Sequence, residues 1–107
     1  MKELPVSFTA LAEEDLDQSE DYIAVHDPAA AARVRAGIVQ QSIELGNTPE
    51  KEVALKDPRR EQEIGVRLGP VSRYRSYLVL YRIEPEQIRV LRVLNAAQDW
   101  TRFFGKS

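Results

Sequence analysis

The hydrophobic positions of this chain change their period twice. From Leu4 to Thr9 ("LPVSFT") apolar and polar residues alternate, with Leu4, Val6 and Phe8 on one side. That spacing predicts a short, half-buried strand. The period then lengthens. Thr9 is placed to cap a helix over "ALAEEDLDQSEDYIAVH", where Ala12, Leu16, Ser19 and Ile23 recur at helical spacing and acids fill the other positions. Glu13, Glu14 and Asp15 sit near its start, where a helix dipole favours negative charge. "DPAAAARVRAGIVQQSIELGN" predicts a second helix, with Asp27 as its cap, Pro28 in the first position and Gly46 as its stop. Ala31, Val34, Ile38 and Leu45 line one face of it. The link around His26 and Asp27 is very short, so the two helices are expected to fold back as an antiparallel hairpin.

The period returns to two after a polar link. Residues 47–63 contain Pro49 and Pro58 and no sustained pattern; Val53 and Leu55 are expected to pin this stretch to the core. Three strands follow: "IGVRL", then "YRSYLVLYRI", then, after a tight "EPEQ" turn, "IRVLRVLN" running antiparallel to its neighbour. Strict alternation in the last strand puts Ile88, Val90, Arg92 and Leu94 on one face and Arg89, Leu91, Val93 and Asn95 on the other. "AAQDWTRFF" closes the chain as a short helix or ordered tail carrying Trp100, Phe103 and Phe104. The expected architecture is α+β in two layers, β-α-α-β-β-β, with an antiparallel helical hairpin packed on a small antiparallel sheet. At 107 residues it is expected to be one domain, spanning 1–107.

Composition narrows the function classes. With 43% apolar and 30% charged residues, the chain can build a core and is not of the disordered type. No apolar run is long enough to span a membrane and no apolar signal segment opens the chain, so a cytoplasmic protein without membrane partners is expected. The absence of cysteine excludes disulfides, thiol nucleophiles and cysteine-based metal sites. The net charge of −2 is unevenly spread. Residues 1–32 hold eight acids and one base, whereas from Ile64 onward there are eight bases and three acids. Such polarity suggests two faces with different partners. A pI near 5.4 argues against sequence-specific nucleic-acid binding by this chain alone.

The residues with chemical potential are mostly arginines. Arg67, Arg73, Arg75, Arg82, Arg89 and Arg92 all fall in the strand block, where guanidinium groups can hold phosphates or a partner's carboxylates. His26 is the only histidine and is expected to face solvent between the helices. The acids Glu13, Glu14, Asp15, Asp17, Glu20 and Asp21 read as a solvated face, because consecutive helical carboxylates diverge and no calcium-loop spacing occurs. There is no glycine-rich phosphate loop and no nucleophile elbow, so neither a cofactor nor a metal is expected.

Taken together, "DYIAVHDPAAAARV" and "RYRSYLVLYRIEPEQIRVLRVLNAAQDW" resemble the ParE branch of the RelE/ParE toxin superfamily, over roughly Leu11 to Trp100. The resemblance implies a type II toxin held inactive, in a hetero-oligomer, by a ParD-like antitoxin whose flexible C-terminal segment folds onto it. RelE-like members cleave messenger RNA on the ribosome, and ParE-like members poison DNA gyrase. Asn95 stands where many relatives carry histidine, and an amide exchanges no protons near neutral pH. Asp99 aligns with an aspartate common in ParE-like members. The resemblance therefore points to gyrase poisoning without catalysis, with no catalytic residue expected. Target contacts are expected at Arg67, Arg75, Arg82, Arg92, Asn95, Trp100, Arg102 and Phe103. Antitoxin contacts are expected at Leu16, Tyr22, Ile23, Val34, Ile38, Arg73, Arg75, Tyr77 and Arg82. Two alternatives stay open: a ribosome-dependent ribonuclease using arginines with Tyr77 or Tyr81, and a non-toxic member that only assembles with its antitoxin.

Overall fold

A strand of three residues, β1 (Val6–Phe8), runs through Thr9 directly into helix α1 (Ala10–Ala24). The Thr9 hydroxyl accepts the Ala12 amide at 3.1 Å, which caps the helix, and donates to the Leu91 carbonyl at 2.8 Å. One side chain thus fixes the entry of α1 to the far end of the chain. The computed structural model describes residues 3–57, 59 and 63–95. Helix α2 (Pro28–Glu44) begins as its sequence predicts, with Asp27 accepting the Ala30 amide at 3.0 Å and proline in the first turn. Arg35 of α2 holds Asp17 (2.8 Å) and Glu20 (2.9 Å) of α1, so part of the acidic face serves the helix pair rather than water. The hydrogen bond to Asp17 is the main reason the Arg35 guanidinium holds its proton more tightly than usual.

The expected helix stop at Gly46 has a different physical basis. Helix α2 ends at Glu44, and Gly65 alone among the described glycines has a positive φ. Glycine is required at 46 because the backbone of Leu4 crosses there. The Leu4 amide donates to the Gly46 carbonyl at 3.0 Å, and a Cβ at 46 would strike the Leu4 carbonyl.

Four further strands, β2 (Val53–Lys56), β3 (Glu63–Pro70), β4 (Tyr77–Ile83) and β5 (Ile88–Asn95), complete a sheet ordered β1-β5-β4-β3-β2. The sheet is mixed, not purely antiparallel: β1 pairs parallel with β5, while every other neighbouring pair is antiparallel. β2 was expected to be link. Four residues are too few for a period to declare itself, and only hydrogen bonding to β3 makes them a strand. Val53 does not pin the link to the core; it is 70% exposed, while Leu55 is half-buried.

β4 begins at Tyr77, not Tyr74, because residues 72–76 form the connection from β3. There the Gln41 side chain bonds both ways, donating to the Pro70 carbonyl (2.8 Å) and accepting the Ser72 amide (2.7 Å). On the other side of the sheet's centre, the chain leaving α2 crosses the sheet to reach β2. Tyr81 donates to the Pro49 carbonyl at 2.7 Å, and Arg67 donates to the Glu52 carbonyl at 2.7 Å. Burial pushes the Tyr81 hydroxyl's pKa up.

The last strand departs from strict alternation. Leu80 faces Arg92 and Tyr81 faces Val90, so Leu91 is an extra residue, a β-bulge. Downstream of it every side chain changes face. Ile88, Val90, Val93 and Asn95 share the helix side with Ile83, Tyr81, Val79 and Tyr77, while Arg92 and Leu94 lie with Leu80 and Leu78 on the outer side. The core between hairpin and sheet accordingly gathers Ala12, Leu16, Ile38 and Leu45 against Tyr77, Val79, Tyr81, Ile88, Val90 and Val93.

Candidate partner-binding surface

The bulge at Leu91 also turns backbone groups of β5 outward beyond the end of β1. The Leu91 carbonyl takes the Thr9 hydroxyl, and the Val93 amide donates to Asp15 at 2.9 Å. Asp15 further receives Arg92 through both carboxylate oxygens, at 2.8 and 2.9 Å. With side chains only 21% and 12% exposed, Arg92 and Asp15 form a partly buried bidentate pair that fastens α1 to β5. The hydrogen bond to Asp15 raises the Arg92 pKa further above its already high value. Arg92, expected to contact a target, is therefore committed to the fold. Arg67 is committed as well, through the 50–52 backbone.

The outer side of the sheet carries the remaining arrangement. Register places Leu68, Leu78, Leu80 and Leu94 there as an apolar centre, with Leu80 and Leu94 buried and the other two half-buried. Toward the β4–β5 turn, Arg82 and Arg89 are directly opposed cross-strand neighbours. Like charges in that position repel. Glu84 offsets part of the repulsion by accepting Arg89 at 3.2 Å. Hydrogen bonding from Gln87, then from Arg89, holds the Glu84 carboxyl below the usual carboxylate range. Arg82 is exposed and makes no ion pair among the described residues. Arg73 and Arg75 stand exposed in the β3–β4 connection, likewise without an ion pair among the described residues.

The other expected contacts separate by burial. Leu16, Ile38 and Tyr77 belong to the core and offer no surface to a partner. Their helical and strand spacing signals burial, and one sequence does not distinguish burial in the monomer from burial in a complex. Val34 and Ile23 are half-buried, whereas Tyr22 is 78% exposed near the tip of the hairpin. Asn95 is half-buried at the end of β5, opposite Tyr77. Trp100, Arg102 and Phe103 lie outside the described residues, as do Asp99 and Phe104. Arg89 was not among the expected contacts; its role depends on being paired with Arg82, and register is not visible in the sequence.

Tyr81 is fully buried with its hydroxyl engaged, and Tyr77 is 8% exposed. His26 is exposed in the turn between the helices. A shallow concavity is lined by Pro5, Glu84, Pro85, Glu86 and Gln87. Among the described residues no group of three or more histidines or carboxylates is placed to hold a metal.

A helical hairpin over a mixed five-stranded sheet is the fold of toxins of the ParE/RelE kind. The family model for the ParE toxin of the type II toxin-antitoxin system parDE matches residues 6–100, and the chain belongs to that family. Among solved structures it is similar to the chromosomal ParDE toxin–antitoxin system of P. aeruginosa, with 22% identity and a TM-score of 0.71 over 86% of this chain and 95% of that one. It is also similar to the RelBE2 toxin–antitoxin complex of Mycobacterium tuberculosis, with 26% identity and a TM-score of 0.61 over 92% of this chain and 97% of that one. No curated protein sequence gave a match.

Proposed function

We propose that this chain is the toxin of a ParDE-type pair, that it acts on DNA gyrase by binding rather than by catalysis, and that a ParD-like antitoxin neutralises it. The observation that carries the non-catalytic reading is the fate of the tyrosines. A ribonuclease needs a proton donor or acceptor within hydrogen-bond reach of its substrate. Tyr77 and Tyr81, which the ribonuclease alternative would use, are built into the core, and Asn95 supplies only an amide. The exposed guanidinium groups of Arg73, Arg75 and Arg82 are suited instead to a macromolecular anion or an acidic peptide.

The antitoxin is assigned to the outer sheet face and the exposed side of the hairpin. An extended acidic and apolar segment would cover Leu68 and Leu78 while its carboxylates relieve the Arg82–Arg89 repulsion. Gyrase would be engaged through Arg75 and Arg73 at the β3–β4 connection, together with the chain beyond Asn95.

The test is a supercoiling and DNA-cleavage assay with purified gyrase and the free protein. Accumulation of cleaved DNA, reversed by the antitoxin and weakened at least tenfold by Arg75→Glu, is the expected result. Undisturbed gyrase together with codon-edge cuts in ribosome-bound messenger RNA would replace this reading with the RelE type. Antitoxin binding unchanged by Arg82→Glu would remove the outer face from the assignment.

A further inference from the structure

The two edges of the sheet are treated differently. β1 is only three residues long, and past its end the backbone of β5 is occupied by Thr9 and Asp15. The opposite edge is β2, and among the described residues no further strand pairs with it. Among the described residues, Val53–Lys56 makes no backbone hydrogen bond outside the sheet, and no side chain reaches its main chain. Apolar side chains stand beside the unpaired groups: Val53 is 70% exposed and Ile64 on neighbouring β3 is 48% exposed. An open edge with exposed apolar residues is a template for another strand.

The sequence of this edge specifies which strand fits. Hydrogen-bonded residues in an antiparallel pair lie directly opposite one another, and outward-pointing groups recur at every second residue. Two copies of one edge can therefore pair only about a two-fold axis through a residue, never between two residues. Centred on Leu55, the pairing sets Val53 against Asp57 and Ala54 against Lys56. Centred on Val53, it sets Lys51 against Leu55 and Glu52 against Ala54. Centred on Ala54, Lys51 meets Asp57, Glu52 meets Lys56, Val53 meets Leu55 and Ala54 meets itself. In that register alone every charge faces its opposite and every apolar residue faces an apolar one.

We propose that the β2 edge is an isologous self-association surface, on which two copies of this chain pair Lys51–Asp57 antiparallel about Ala54 and join their sheets into one ten-stranded sheet. The structure accommodates the pairs. Lys51 and Lys56 are exposed, Asp57 accepts the Arg59 amide at 2.8 Å, and Glu52, which makes no ion pair among the described residues, folds its carboxylate over Gly69 of β3 and would turn outward to reach Lys56 of the second copy. Val53, otherwise left in water, is covered by Leu55 of the second copy. Because the contact is small and its ion pairs are near the surface, the dimer is reversible and weakened by salt. This inference is independent of the cellular target.

Sedimentation velocity on the purified 107-residue chain, over a range of protein concentrations, tests it. The apparent mass is expected to double with concentration. Glu52→Lys and Lys56→Glu should each be monomeric, while their equimolar mixture should form a heterodimer, since each then offers what the other lacks. Circular dichroism of each variant controls for folding. The chain has no cysteine, so Ala54→Cys provides a second, register-specific reading. Facing residues of antiparallel strands are about 4.5–5.5 Å apart at Cα, within disulfide range. Ala54→Cys should oxidise to a covalent dimer and Val53→Cys should not, although Val53→Cys mixed with Leu55→Cys should. A wild-type chain that stays monomeric at all concentrations, or a dimer that survives Glu52→Lys, would overturn the proposal. So would protection of the β2 amides from exchange only when antitoxin is added, which would give the edge to the antitoxin.

Discussion

Asp15 does more for this protein than its place among six helical acids suggests. Its carboxylate takes both Arg92 nitrogens and the Val93 amide, so one residue of α1 satisfies a guanidinium and an orphaned strand donor together. Removing one partner of a partly buried pair leaves the other desolvated and unmatched. Asp15→Ala is therefore expected to lower unfolding free energy by about 3 kcal/mol in urea titrations, more than any exposed acid of the same helix. A second residue gives a pH signature. Glu84 has a folded pKa below its usual 4.5, owing first to Gln87 and then to Arg89. The unfolded chain thus takes up this proton more readily, so the associated stability is complete above pH 4.5 and is lost as pH falls through the folded value. Glu84→Gln is expected to flatten that acid limb of a stability–pH curve by lowering stability at neutral pH, with the two curves converging in acid where Glu84 is protonated in both states. The arginines teach the complementary lesson. Arg67 and Arg92 looked the same in sequence as Arg75 and Arg82, yet the first two bind the protein's own carbonyls and carboxylate and the last two stand exposed.

The elements were legible wherever an end carried its own chemistry. Both helix starts follow from Thr9 and from Asp27–Pro28, and the β4–β5 turn follows from "EPEQ", closed by the Glu84 amide on the Gln87 carbonyl at 2.8 Å. The misses were irregularities of pairing. The bulge at Leu91 moved Arg92 away from Val90's face, and three residues, Ile64–Val66, oppose the single Leu55 where β3 meets β2. No periodicity in one strand reports how many residues its neighbour spends along the same length. Gly65, with φ of +84°, supplies the backbone for the second irregularity, and space around it is open. The cost of Gly65→Ala therefore falls on the backbone alone, about 1–2 kcal/mol. Hydrogen exchange should show it as faster opening of β2 with the β4–β5 hairpin unaffected.

The two sides of the sheet differ in the whole molecule. The helix side is a closed core, and the outer side with the β3–β4 connection carries apolar and cationic groups. If antitoxin binding uses that cationic face, its affinity should fall as salt rises from about 0.05 to 0.5 M, and Arg82→Ala should lessen the slope. Isothermal titration at several salt concentrations measures both. By itself the sequence determined the helical hairpin, the three late strands, the absence of thiol chemistry and the ParE resemblance. Each of these rests on local spacing or on residue identity, which a single chain carries in its own order. Tertiary structure alone decided that β1 joins β5 in parallel, that β2 exists and forms an edge of the sheet, and which arginines are committed to the fold. Those outcomes depend on pairs of residues far apart in the chain, such as Thr9 with Leu91, 82 positions away. A side chain's partner at that distance is set by how the strands are ordered and shifted, and that information exists only once they have come together.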